Sequence, residues 1–166
     1  MARWCIVGSL TIGLIALAIL SSLEPPSDVA MTANLMANRA TFDRLLAMIQ
    51  EDRGLLRVDV DWTDPADPEQ AGISPARIAE YRRLMQAIGV TRGFSADEKR
   101  HGIHFIAWAS GLSTRGRSKA YVWSSTGKFE DSQVASSLDE TWRDGGRHVW
   151  AYRHLDGPWY LYLRRD

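Results

Sequence analysis

The chain has 166 residues, with 20 basic and 20 acidic side chains that cancel at pH 7. That length predicts one domain, and the balanced charge carries no nucleic-acid footprint. A lone cysteine, Cys5, excludes an internal disulfide, and the remaining chain holds neither a cysteine zinc centre nor a thiol nucleophile. Arginine outnumbers lysine 17 to three, a codon-bias signature of a GC-rich bacterial genome.

Residues 4–23, WCIVGSLTIGLIALAILSSL, carry no charge. Twenty residues at about 1.5 Å each span roughly 30 Å, one hydrocarbon core. Arg3 precedes the run, whereas Glu24 and Asp28 follow it, which predicts a cytoplasmic N-terminus. Small residues are poorly placed for signal cleavage, and Cys5 stands on the wrong side for a lipoprotein. The expectation is a transmembrane signal anchor at 1–23, with a cleaved signal peptide as the second reading. A proline-containing spacer at 24–30 then leads into an extracytoplasmic domain at 31–166. This describes a single-pass protein of the bacterial inner membrane, with its domain in the periplasm.

Beyond the spacer, residues 31–52 predict a helix, with Phe42, Leu45, Leu46 and Ile49 forming one apolar stripe. Leu56 to Trp62 alternates and predicts a strand. Residues 63–74 read as a loop. Ser74 and Pro75 open a second helix as N-cap and first-turn proline, and Gly89 closes it. Residues 90–102 read as a loop, 103–109 and 120–125 as strands, and 138–143 as a short helix.

The chain ends on RHVWAYRHLDGPWYLYLRRD, two aromatic and aliphatic runs around Asp156-Gly157, a strong hairpin signal. The fold class expected is α+β: a transmembrane helix, then a mainly antiparallel sheet of about five strands with helices packed on one face.

The segments GLSTRGRSKAYVW, SSLDETW and YRHLDGPWYLYL resemble a set of uncharacterised, N-terminally anchored bacterial envelope proteins, over about the last seventy residues. The resemblance implies location and fold style, and no activity.

The leading candidate surface is aromatic. If Leu155-Asp156-Gly157 is a three-residue loop, Tyr152 opposes Tyr160 and Trp150 opposes Tyr162, and aliphatic side chains sort from aromatic ones. A two-residue turn would place Tyr152 opposite Leu161 instead, because register decides which side chains share a face. In the first register, Trp150, Tyr152, His154, Tyr160 and Tyr162 join His148, His104, Ile106, Trp108, Tyr121 and Trp123 on one sheet face. Exposed tyrosine and tryptophan supply large, rigid contact area for a partner. The competing reading makes this face core, or cross-strand pairs that only stabilise the sheet.

The loop at 110–119 adds Arg115, Arg117 and Lys119 beside two glycines and four hydroxyls, a composition suited to phosphate or carboxylate. It lacks the P-loop spacing, and a solvated hairpin loop is the alternative. Asp59, Asp61, Asp64, Asp67 and Glu69 invite calcium, but an EF-hand loop begun at Asp59 would put Asp64 and Gln70 where it needs Gly and Glu.

His101 and His104 could join a metal site only with further ligands. No strong catalytic motif is present. The expected function is therefore a non-catalytic, membrane-anchored module that binds an envelope protein or peptide, accessory or immunity-like in kind, without a cofactor. The alternative is a small hydrolase or metal-dependent enzyme using His104, His148 or His154 with Asp59 or Asp61.

Overall fold

The computed structural model describes residues 24–99, 101–111, 116–129, 132–146 and 148–166. It is α+β, built on an eight-stranded sheet in the order β2-β1-β3-β4-β5-β8-β7-β6, antiparallel except between β6 and β7. The strands are β1 (Arg57–Val58), β2 (Thr63–Asp64), β3 (Phe94–Ala96), β4 (Gly102–Ser110), β5 (Arg117–Ser124), β6 (Gln133–Val134), β7 (Val149–Asp156) and β8 (Trp159–Arg165). The helices are α1 (Asp28–Ala37), α2 (Arg39–Glu51), α3 (Pro75–Ala87) and α4 (Leu138–Arg143).

Two expectations are corrected here. The sheet has eight strands rather than about five, because β2, β3 and β6 span only two or three residues. So short a run shows no period. The transmembrane, single-pass, inner-membrane and periplasmic reading is not supported: no helix among the described residues is long and apolar enough to cross a membrane. The segment 4–23, on which that reading rested, lies outside the described residues.

The first helical stretch also divides. α1 begins at Asp28, inside the expected spacer, where Ser27 caps it by accepting from the Ala30 N–H. Asn38 then separates α1 from α2. The strand expected over 56–62 is paired only at Arg57 and Val58, and β2 returns against it. Val60 and Trp62 are consequently 61% and 48% exposed rather than buried beside Val58.

The core lies between the helices and one face of the sheet. Phe42 of α2 sits at its centre, edge-on to Phe105, Tyr121 and Trp159 at 4.8–5.9 Å centroid spacing for this group of rings. Such aromatic edges add about 0.5–1.5 kcal/mol per pair beyond burial. Tyr81 of α3 packs on Phe94, and Leu45, Ile49, Ile103, Leu161 and Leu163 complete the layer.

A buried charge cluster ties three elements to this face. Lys119 is fully buried; its Nζ donates to Pro26 O at 2.8 Å and Asp139 Oδ1 at 2.7 Å, and pairs with Asp28 Oδ1 at 2.8 Å. The two carboxylates exchange caps. Asp139 accepts from the Asp28 N–H at the start of α1, and Asp28 accepts from the Leu138 N–H at the start of α4. Negative charge at helix N-termini is favourable for the unpaired N–H groups there. Burial alone would raise the Asp139 pKa, but the Lys119 and Asp28 N–H donors carry it below the usual carboxylate value.

Candidate ligand-binding face

Helices cover one face of the sheet, and strand pairing identifies what lies on the other. Three cross-strand rows run over it: Ser95, His104, Val122, Tyr160 and His154; then Ile106, Ala120, Tyr162 and Tyr152; then Ala109, Ser118, Arg164 and Trp150. Arg57 extends the first row through its pairing with Ser95.

The hairpin generates the aromatic part. β7 and β8 are joined by Gly157-Pro158, with Gly157 at φ 52°, the left-handed conformation glycine tolerates. Leu155 is a bulge residue between the His154–Tyr160 and Asp156–Trp159 pairs. The expected three-residue loop therefore shifts by two. Tyr152 opposes Tyr162, and Trp150 opposes Arg164. A slip of two preserves side-chain parity, so the hairpin members of the aromatic face stay together.

The rings form a connected group. Tyr162 lies 4.7 Å from Tyr152 and 5.1 Å from His104, and His154 lies 5.0 Å from Tyr160. Phe129, from the segment between β5 and β6, stacks on Tyr152 at 3.7 Å and meets Tyr160 edge-on at 4.7 Å. Burial raises the Tyr152 and Tyr162 hydroxyl pKa values, so both stay protonated donors. Burial drops His104 to about 4, outweighing the opposite pull of Asp97, so its ring is neutral at pH 7. Trp150, 41% exposed, donates from Nε1 to Asp166 Oδ1 at 3.4 Å.

Next to the aromatic group is a cavity of about 680 Å³, lined by Arg57, Asp59, Arg92, Ile106, Ser118 and Arg164 among others. Pockets of this size accommodate ligands of several hundred daltons. Arg57 Nη2 donates to Asp59 Oδ2 at 2.8 Å, and Arg164 Nε to Asp166 Oδ1 at 3.1 Å.

Other sequence-predicted residues lie elsewhere. Tyr121 and Trp123 face the helices, since β5 enters with the opposite phase: Phe105 pairs with Tyr121 and Ile103 with Trp123 on the core side. Trp108 follows them because the bulge at Ala107 reverses parity within β4. It meets Trp142 of α4 at 5.5 Å. Lys119 is the buried cation of the charge cluster, not a solvated loop residue. Arg117 lines the cavity, yet its guanidinium lies 5.6 Å from the Trp142 ring on the helix side. Arg115 lies outside the described residues.

The residues of the alternative enzyme do not gather. Among the described residues, no three His, Cys, Asp or Glu side chains come together as metal ligands. Asp59 is committed to Arg57 and to the Val60 N–H. His154 Nε2 contacts Gly157 O at 3.0 Å, and His148 lies before β7 at φ 54°.

Arg57, Arg92, Arg164 and Phe129 were not anticipated as site residues. Alternation already placed Arg57 on a polar face, but Arg92 and Phe129 follow irregular segments and left no signal. Comparison with protein-family models, with curated proteins and with solved structures returns no match.

Proposed function

We propose that this protein is a non-catalytic recognition module that takes a protein or peptide segment on the helix-free face of its sheet. One observation supports the reading above others. The tyrosine, histidine and tryptophan rows are continuous with an open cavity, across the Tyr162–Arg164 step of β8. Rigid aromatic side chains beside a pocket make effective anchors, because they lose little rotamer freedom on binding. Polar groups at the cavity, Ser110, Ser118 and the arginines, supply orientation.

Panning a displayed random-peptide library against the protein tests this reading. A recurrent peptide family should emerge, and its binding should fall at least tenfold in the surface double variant Trp150→Ala/His154→Ala. Failure to enrich any family, or equal binding by wild type and variant, would refute it.

A further inference from the structure

We infer that the cavity end of this face selects an acidic peptide segment, with carboxylate side chains spread along an extended chain. The inference rests on the recognition reading above and names its ligand class.

Four arginines line the cavity; Arg117 holds its guanidinium near the Trp142 ring, and the other three come from separate parts of the sheet: Arg57 from β1, Arg92 from the lead into β3, and Arg164 from β8. Four strand steps separate β1 from β8, roughly 19 Å at about 4.8 Å per step. One carboxylate cannot serve cations so distributed. An extended peptide can, since its alternate side chains recur on one face every roughly 7 Å.

The donors are partly unspent. A guanidinium carries five N–H groups, and Asp59 accepts from Nη2 of Arg57. The Arg57 guanidinium lies over the Trp62 ring at 4.9 Å, with Nε buried without an acceptor. Arg92 is exposed and forms no ion pair among the described residues. Ser110 and Ser118 line the same cavity and add hydroxyl donors.

Charge favours an acid as well. The whole chain is neutral, yet the cavity gathers Arg57, Arg92 and Arg164 against Asp59, with Asp166 next to Arg164. The Asp166 carboxylate already pairs with Arg164 and accepts from Trp150, so a ligand carboxylate takes the remaining Arg164 donors or displaces Asp166 beside an indole N–H. An arginine fork suits that acceptor.

Fluorescence anisotropy with two labelled ten-residue peptides tests the inference, one alternating Glu with Val and the other Gln with Val. The Glu peptide should bind saturably, weaken as salt rises from 50 to 300 mM, and outbind the Gln peptide at least tenfold. Arg92→Gln/Arg164→Gln, two substitutions at solvent-accessible sites, should remove about that factor. Equal binding of the two peptides, or indifference to the double variant, would overturn it. Competition by inorganic phosphate with no peptide binding would also overturn it, since it reveals a small-anion site. If library peptides engage Trp150 and His154 yet show no acidic bias, this inference fails while the recognition reading stands. If no peptide of any kind binds, both fail.

Discussion

Replacing Lys119 by methionine would remove the cation that joins α1, α4 and β5 while nearly conserving side-chain volume. The loss falls on Asp28, whose side chain is 4% exposed and would keep, among the described residues, Arg153 at 3.4 Å and the Leu138 N–H. Removing one partner of a buried ion pair costs about 3–5 kcal/mol. Asp139, 30% exposed, can recover hydration, so the lower end applies, about 3 kcal/mol. For a chain of this size that lowers Tm by about 6–12 °C.

Urea denaturation followed by circular dichroism and tryptophan fluorescence measures the change at pH 7. Acid dependence supplies a second readout. Asp139 has a folded pKa below its unfolded value of about 3.9. Its stabilisation is therefore complete above that pH and is lost as pH falls through the folded pKa. Lys119→Met should weaken this acid step. A variant within 0.5 kcal/mol of wild type, with an unchanged acid limb, would refute the assignment of the cluster as a net stabilising joint.

His104 should titrate near pH 4 by proton NMR, against about 6.5 in the unfolded chain. The neutral ring is the folded form, so stability falls as pH drops from 6.5 towards 4, by about 2 kcal/mol after allowance for partial solvent contact; His104→Phe should flatten that window. Gly93→Ala should cost at least about 3 kcal/mol by urea unfolding. Its φ is +71°, and a Cβ would lie 1.8 Å from Val58 O, in the backbone that β3 crosses.

Strong local chemistry was legible in the sequence. The α2 stripe, the Ser74-Pro75 start of α3, the helix at 138–143 and the terminal hairpin appear with bounds close to those expected. Each is long enough to show its period or carries a cap. What failed was relative phase. Residues 103–109 and 120–125 each alternate, but alternation alone does not say which parity faces the helices. The Ala107 bulge then reversed Trp108, an event with no local signature. Lys119 was misread for a related reason. A lysine among arginines and serines looks solvated until folding brings Asp28 and Asp139, distant in sequence, to its ammonium group.

The corrected phase of β5 also bears on the cavity, which Ser118 lines. Its helix-side parity carries Lys119, Tyr121 and Trp123, whereas its other parity carries Ser118, Ala120 and Val122. On the uncovered face these small side chains stand between Ile106 and His104 of β4 and Arg164, Tyr162 and Tyr160 of β8. Ala120 and Val122 are buried there, and the cavity opens at the Ser118 end of the strand, with arginines around it. The opposite phase would put Lys119, Tyr121 and Trp123 on the uncovered face and turn small residues toward helices that pack on large ones. The same alternation therefore builds the aromatic core around Phe42 and puts the small Ser118 at the cavity. Ser118→Trp, in the cavity lining between Ala109 and Arg164, should fill the cavity at little cost to the helix side and abolish peptide binding. Undiminished binding by the folded variant would separate recognition from this cavity.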